Sequence, residues 1–234
     1  MKDSEIDEML DKTAHVPHAV PVGLLQRIAD SLEPPLQPVR PLAPTWVLTL
    51  GVVLSGAAAA FVGAARAGFQ GFEALSIPAQ VLIFGALGLL AGVAAAQVVR
   101  EWIPGSRHVR AGAILAVSSV GLLAVFALLF HDYQTHQFVS SGLTCLVKGL
   151  LHAVPAALLA WWLLRRGYVV NSVSAGLIAG TFAGLAGLTM LELHCANFEA
   201  LHVLVWHTLV VPLSAASGAL IGWALRRSLM RADR

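Results

Sequence analysis

The stretch SVSAGLIAGTFAGLAGLTMLEL (residues 172–193) carries one charged side chain, Glu192, in 22 consecutive positions. A helix rises about 1.5 Å per residue, so an apolar run of about 20 residues is long enough to cross about 30 Å of hydrocarbon. Five further apolar runs of comparable length occur at residues 45–65, 78–99, 111–130, 142–164 and 202–225. The sequence therefore predicts an all-α fold, a polytopic membrane protein built as a bundle of six transmembrane helices.

The overall composition indicates the same environment. Hydrophobic residues make up 57% of the chain and charged residues 12%, with a mean hydropathy of +0.76. A soluble domain usually devotes about 25% of its residues to charge. A transmembrane β-barrel would show alternating polar and apolar positions, whereas these runs are continuously apolar. The composition thus excludes a soluble globular domain and favours membrane helices.

Small residues recur on one face of the fifth predicted helix. Gly176, Gly180 and Gly184 follow one another at four-residue spacing. Such stripes let membrane helices approach closely, because no side chain projects between the two backbones. We therefore expect this face to pack against a neighbouring helix rather than to line a pore.

Basic residues are distributed unevenly between the two sides of the predicted bundle. All of the fifteen Lys and Arg except Arg66 and Lys148 lie in the N-terminal tail, the second and fourth connections or the C-terminus. Short cytoplasmic loops retain Lys and Arg. The pattern predicts a multi-pass protein of a bacterial inner membrane, with both termini in the cytoplasm.

Side chains that bind metals gather near the opposite, extracytoplasmic side. They are Cys145, Cys195, His131, His136, His194, His202 and His207. Thiols and imidazoles are ligands for zinc or another soft divalent metal. In an oxidising compartment the two cysteines could instead form a structural disulfide or respond reversibly to oxidants. Because no C-x-x-C or H-x-x-x-H motif is present, a metal site, a redox sensor, a crosslink and inert burial of the two thiols remain alternatives.

Two charged residues lie within predicted spans. Lys148 follows Cys145 by three positions and Glu192 precedes Cys195 by three, so each charge lies about one helical turn below a cysteine. A charge inside a span is costly and normally has a partner. Because the two depths are equal, we predict an intramembrane ion pair between Lys148 and Glu192.

The N-terminal tail divides into two short predicted helices and a linker. Residues 1–33 hold two apolar stripes, formed by Ile6, Met9 and Leu10 in the first helix and by Leu24, Leu25, Ile28 and Leu32 in the second. Residues 34–44 contain five prolines and should form a semi-rigid spacer. Apolar stripes need a partner, so these residues are candidate contacts for a cytoplasmic protein; the alternative is a self-paired or disordered tail. The transmembrane domain, residues 45–225, is followed by a basic cytoplasmic C-terminus, residues 226–234.

Catalytic motifs are missing from the sequence. There is no Ser/His/Asp constellation and no H-E-x-x-H, and the glycines of GTFAGLAG (residues 180–187) lie within a span, where they cannot bind a phosphate at a strand-to-helix turn. We therefore expect a protein that is not an enzyme. Haem ligation by two histidines is the remaining cofactor hypothesis.

Three segments carry a resemblance to a known family. They are PVRPLAP (residues 38–44), GLTCLVKGLLHAVPAALLAWWLLRRG (residues 142–167) and AGLIAGTFAGLAGLTMLELHCANFEALHVLVWH (residues 175–207). Over residues 37–225 the chain resembles the NrsF family, negative regulators of extracytoplasmic-function sigma factors. Members of that family have six spans, a cytoplasmic N-terminus and a pair of extracytoplasmic cysteines, which would correspond to Cys145 and Cys195.

The resemblance implies an inner-membrane anti-sigma factor that acts in transcription regulation and stress response. Its tail would sequester an extracytoplasmic-function RNA polymerase sigma factor, without direct nucleic-acid binding, and redox or metal sensing at the cysteines would release it. This tail is longer than is usual for the family, which leaves the mode of sigma-factor binding open. Two alternatives remain: a small membrane metal- or haem-binding protein, transporter or redox enzyme that uses the same residues, and a structural scaffold.

Overall fold

The computed structural model describes residues 23, 26–27, 43–103, 105–106, 109–134, 137–167 and 169–232, with side chains as far as Ser228. The chain divides into two compact units, Met1–Leu42 and Ala43–Arg234. The apolar residues predicted to bind a partner all lie outside the described residues: Ile6, Met9, Leu10, Leu24, Leu25, Ile28 and Leu32. The helices that cross the membrane belong to the second unit.

Six helices within the described residues are long and apolar enough to cross a membrane, which confirms the predicted all-α bundle. In chain order the elements are α1 (Thr45–Ala67), α2 (Gln70–Ala74), α3 (Ile77–Trp102), α4 (Ala111–Leu129), α5 (Phe138–Leu164), α6 (Ser172–His194), a π-helix (His202–His207) and α7 (Thr208–Ala232). The sixth span combines the π-helix with most of α7. The short helix α2 was not predicted, because five residues are too few to show a helical period.

Local chemistry sets the ends of the helices. The side chain of Asn171 accepts hydrogen bonds from the backbone N–H groups of Val173 and Ser174, both at 3.2 Å, and so caps the start of α6. Gly68 ends α1 with a φ of 102°, a conformation that glycine adopts at little cost. The imidazole Nδ1 of His194, at the end of α6, hydrogen-bonds with the carbonyl oxygen of Gly68 at 3.3 Å.

The connections after α1, α4 and α6 meet at one end of the bundle, which we call the cluster end (residues 67–77, 130–134 and 194–202). The backbone N–H of Ala200 donates to the carbonyl oxygen of Asp132, and a methyl group on Gly71 would meet the backbone of Cys195. Because α1 has 23 residues, its first residue, Thr45, lies about 35 Å from the cluster end.

Helix α6 is the central helix of the bundle. In its most apolar window 72% of the residues are buried, against 22–33% in the windows of the other five spans. It packs most extensively against α7 and α5 and also contacts α1, α3 and α4. A helix enclosed by its neighbours buries all of its faces, which explains why its sequence has no polar stripe.

The predicted glycine face of α6, formed by Gly176, Gly180 and Gly184, is confirmed as a packing face, and its partner is α7. A methyl group on Gly180 would meet the carbonyl oxygen of Ser214, and one on Gly176 would meet the carbonyl oxygen of Gly218. The backbones of α6 and α7 are therefore in direct contact along this glycine stripe.

Replacing Gly180 by alanine should lower the free energy of unfolding by roughly 1–3 kcal/mol, the usual cost of overpacking. The added methyl group would press on the backbone at Ser214, which cannot rotate away as a side chain could. The measurement is chemical unfolding of the purified protein in mixed micelles. Gly121→Ala on α4 is the matched control, because nothing lies within 4 Å of a methyl group there. Equal losses in the two variants would contradict direct contact between α6 and α7.

Candidate functional site

Three segments bring four metal-binding side chains together at the cluster end. Cys145 lies near the start of α5, Cys195 follows α6 directly, and the π-helix begins with His202 and ends with His207. One ligand atom from each of these residues lies within 4.8 Å of the other three. The sulfurs of the two cysteines are 3.5 Å apart. We call these four residues the Cys/His cluster.

Aromatic contacts hold the cluster end together. Phe130 stacks on Phe198, with ring centroids 5.2 Å apart and 6° between the ring planes. The indole of Trp206, in the π-helix, packs on Phe138 at 5.4 Å between centroids. A methyl group on Gly142 would overlap that indole, so a glycine in α5 makes the space that Trp206 occupies. The π-helix is thereby fixed against the start of α5, where Cys145 lies.

The π-helix explains how two histidines five positions apart reach one site. At about 100° per residue, an α-helix would turn His202 and His207 about 140° away from each other. In a π-helix the backbone bonds span five residues, as between the N–H of Thr208 and the carbonyl oxygen of Val203, so residues i and i+5 come closer to alignment. The two imidazole rings accordingly pack edge to face, with centroids 5.0 Å apart.

The structure replaces the predicted ion pair between Lys148 and Glu192 by two other contacts. Glu192 is fully buried, and its Oε1 lies 2.7 Å from Nδ1 of His207. Lys148 is exposed, and its ammonium group lies 3.2 Å from Nε2 of His194. Equal depth does not make two residues neighbours, because the rotation of each helix about its axis decides where its side chains point. The partnership of Glu192 with His207 was not predicted.

Two other predicted ligands, His194 and His131, do not join the Cys/His cluster. His194 is engaged at both ring nitrogens, by Lys148 and by the carbonyl oxygen of Gly68. His131 is exposed in the loop after α4. His136 lies outside the described residues. Sequence reasoning therefore included all four members of the cluster, together with histidines that make other contacts or face solvent.

The Cys/His cluster lies largely out of contact with solvent. His202 and His207 are 0% exposed and Cys145 is 8% exposed, while Cys195 is partly buried. The hydrogen bond with Cys145, and then burial, raise the pKa of the Cys195 thiol above its ordinary value. Both cysteines are free thiols. Thiols and imidazoles so placed can coordinate a soft or borderline metal ion, or the thiols can lose two electrons to an oxidant and close a disulfide.

An open cavity of about 620 Å³ reaches the two thiols at the cluster end. Its walls include Gln70 of α2, Lys148 of α5 and both cysteines. His202 and His207 are not among the residues that line it. A small ion or oxidant can therefore meet the sulfurs first, with the histidines behind them.

Six membrane-crossing helices and a buried thiol and imidazole cluster define the class of this molecule: a multi-pass membrane protein with a site at one end of its bundle. A family model described as NrsF, negative regulator of sigma F, matches residues 32–227. The chain belongs to the NrsF family, which confirms the resemblance seen in the sequence and makes it a membrane anti-sigma factor with a sigma factor as its partner. Comparisons with curated proteins and with solved structures gave no significant match.

Proposed function

We propose that the protein holds an extracytoplasmic-function sigma factor at the bacterial inner membrane and releases it when the Cys/His cluster captures a heavy metal or is oxidised. The observation that carries this proposal is the buried cluster at the end of the bundle opposite Thr45, the residue at which the tail joins α1. A sequestered sigma factor requires a cytoplasmic binding segment, and a sensor of external stress requires its thiols on the other side. A bundle with cytoplasmic termini and an extracytoplasmic cluster meets both requirements.

The N-terminal tail supplies the binding segment. Its two predicted apolar stripes, within residues 1–33, are of the kind that lie in a groove of a partner protein. The first predicted helix is acidic, so anionic lipid repels it. The five prolines of residues 34–44 predict a semi-rigid spacer between the stripes and the first span. Sequestration by such helices needs no chemistry on the sigma factor, so the proposed role is regulatory and not enzymatic.

A continuous set of contacts runs from the cluster to α1. Helix α6 carries Glu192 near the cluster, and its Phe182 lies beside Gly56 of α1 farther along. The π-helix continues into α7, whose backbone touches α6 along the glycine stripe. No side chains separate these two backbones at the glycine stripe. A displacement of the residues at the cluster would therefore move α6 and α7 together as rigid bodies. Regulation then requires two arrangements of the bundle that bind the sigma factor with different affinities.

Changing Leu24 and Leu25 together to aspartate should abolish co-purification of the sigma factor with the full-length protein. Two carboxylates in the apolar stripe would be buried against the partner without pairing, which is strongly unfavourable. The measurement is affinity purification from native membranes, followed by mass spectrometry of the bound proteins.

The matched control changes Ala19 and Val20 to aspartate in the VPHAVP segment (residues 16–21), which lies between the two stripes. This variant should retain the sigma factor. Absence of a sigma factor from purifications of the unchanged protein would overturn sequestration.

A further inference from the structure

We propose that Cys145, Cys195, His202 and His207 form a closed four-ligand site for one borderline or soft divalent ion, such as Zn²⁺ or Cd²⁺, and that Glu192 is the positioning residue that holds His207 ready to bind it. The role of metal binding as a signal rests on the proposed anti-sigma function. It identifies ion binding, and not disulfide formation, as the primary event at the cluster.

The distances within the cluster already approach those of a tetrahedral metal site. With Zn–S bonds of about 2.3 Å, two sulfur ligands lie about 3.8 Å apart, and a sulfur and a nitrogen lie slightly closer. The sulfurs of Cys145 and Cys195 are 3.5 Å apart, and Nε2 of His202 is 3.7 Å from the sulfur of Cys195. No two of the four ligand atoms are separated by more than 4.8 Å. A separation at that limit exceeds the tetrahedral value by about 1 Å, so the ligand atoms would have to move slightly closer together on ion binding.

A buried nitrogen of His207 is available as a ligand. Its Nδ1 is engaged by Glu192, so Nε2 is the atom left for an ion. Among the described residues this Nε2 makes no hydrogen bond of ordinary length and angle, and it faces the thiol of Cys195, although the side chain is completely buried. A buried polar atom without a partner costs free energy, and a metal ion in the cluster would remove that cost.

Glu192 determines which nitrogen of His207 faces the ion. Its Oε1 lies 2.7 Å from Nδ1 of His207, so a proton on Nδ1 is shared with Glu192 and Nε2 is the nitrogen that can give its lone pair to an ion. Carboxylates hold metal-binding imidazoles in this way in many zinc sites, and they also increase the basicity of the ligand nitrogen. Glu192 and His207 are both 0% exposed, so other protein atoms surround this pair. Glu192 acts on the ion through His207 and is not itself a ligand.

The donor set selects the class of ion. Two thiolates balance the charge of a divalent ion, with release of the two thiol protons on binding, and two neutral imidazoles complete the coordination. The ion and its four ligands then carry no net charge, and the carboxylate of Glu192, hydrogen-bonded to His207, is the charge that remains beside them. Mg²⁺ and Ca²⁺ take oxygen ligands, and the four members of the cluster provide none.

The cavity gives the ion an access path, and the ligand set gives its binding a mechanical effect. The two sulfurs are reached from the cavity, whereas the histidines close the site from inside. The ligands come from α5, from the segment after α6 and from the π-helix. An ion that binds all four therefore draws these segments together, and the π-helix passes the displacement to α7.

The test is a titration of the reduced, full-length protein in detergent with Co²⁺ as the probe. In a four-coordinate site with thiolates, Co²⁺ shows intense ligand-field absorption and a sulfur-to-cobalt charge-transfer band. We expect one Co²⁺ per chain, displacement by Zn²⁺ or Cd²⁺, and protection of both thiols from alkylation. Two results with the unchanged protein would overturn the proposal. One is a weak spectrum typical of octahedral Co²⁺, and the other is full reactivity of the thiols toward the alkylating reagent when Co²⁺ is present.

Variants test the individual roles. Cys145→Ser and His207→Ala should abolish the four-coordinate spectrum. Glu192→Gln should keep that spectrum but weaken Co²⁺ binding about 10–100-fold, as the loss of an outer carboxylate does. His131→Ala is the matched control, because it removes an exposed imidazole from a neighbouring loop, and it should bind as the unchanged protein does. Unchanged affinity in Glu192→Gln would overturn the positioning role.

The titration contains no sigma factor, so the two proposals fail separately. Four-coordinate Co²⁺ in a protein that never co-purifies with a sigma factor would overturn sequestration and leave the metal site standing. A sigma factor retained by a protein that binds no Co²⁺ would overturn the metal site and leave sequestration standing.

Discussion

Under the proposed sensing role of the Cys/His cluster, zinc or cadmium should raise sigma-dependent transcription, and replacing Cys145 or Cys195 by serine should abolish that rise. Serine keeps nearly the size of cysteine, so the packing of the bundle should be preserved. Its hydroxyl group is a poor ligand for soft ions and cannot form a disulfide, so the cluster loses both the metal-bound and the oxidised state proposed for it. The measurement is a reporter gene driven by a promoter of the sigma factor, with and without added metal.

The free energy of a four-ligand site is large enough for a complete switch. Moving a bundle from about 1% to about 99% in its releasing state requires an ion that favours that state by about 5.5 kcal/mol. Structural zinc sites have apparent binding free energies of about 10–16 kcal/mol. Roughly a third to just over half of that binding free energy must therefore depend on the arrangement of the bundle, which makes full induction attainable with one ion.

Thr144→Ser is the matched control for the serine variants. Thr144 precedes Cys145, is exposed and lines the same cavity, so this change tests whether any small alteration there affects signalling. The control should respond to metal as the unchanged protein does. Full induction by metal in both serine variants would contradict a sensing role for the thiols.

Replacing His207 alone by leucine should cost about 3–5 kcal/mol of unfolding free energy, because Glu192 would stay buried without its partner. Replacing Glu192 and His207 together by leucine should recover most of that loss, since an apolar pair needs no compensating charge. The measurement is unfolding of the single and double variants in mixed micelles. A chelator is included so that no bound ion contributes.

The control for this cycle is His131→Leu, at an exposed position, which should change the unfolding free energy by no more than about 0.5 kcal/mol. If the double variant were as unstable as His207→Leu, packing and not the buried pair would explain the loss.

The six spans could be predicted because the thickness of the hydrocarbon layer dictates their length. The predicted runs 111–130 and 172–193 differ from α4 and α6 by one residue at one end. The fourth run was predicted to begin at residue 142, whereas α5 begins at Phe138, because the backbone stays helical through polar residues that a hydropathy pattern excludes. The glycine spacing also predicted a packing face correctly, although not that α7 covers it.

Membership of the site was only partly predictable. The cysteines and histidines were expected together at one end, but their pattern does not distinguish His207, in the cluster, from His194, bound to Lys148 and Gly68. Equal depth suggested a Lys148–Glu192 pair, whereas α6 turns Glu192 toward His207. Depth follows from position along the chain, but direction around the helix axis depends on what each helix packs against.

The π-helix is the clearest case of a feature that composition does not reveal. A period of about 3.6 residues assigns His202 and His207 to different sides of the last span, and only the wider turn brings them to one site. Apolar run length was enough to establish six crossings and the end of the bundle at which the thiols and imidazoles lie. Which thiols and imidazoles meet was decided by the backbone contact between α6 and α7 and by the wider turn of the π-helix. Contact between helices depends on how each helix is rotated about its axis, and the length of an apolar run does not encode that rotation.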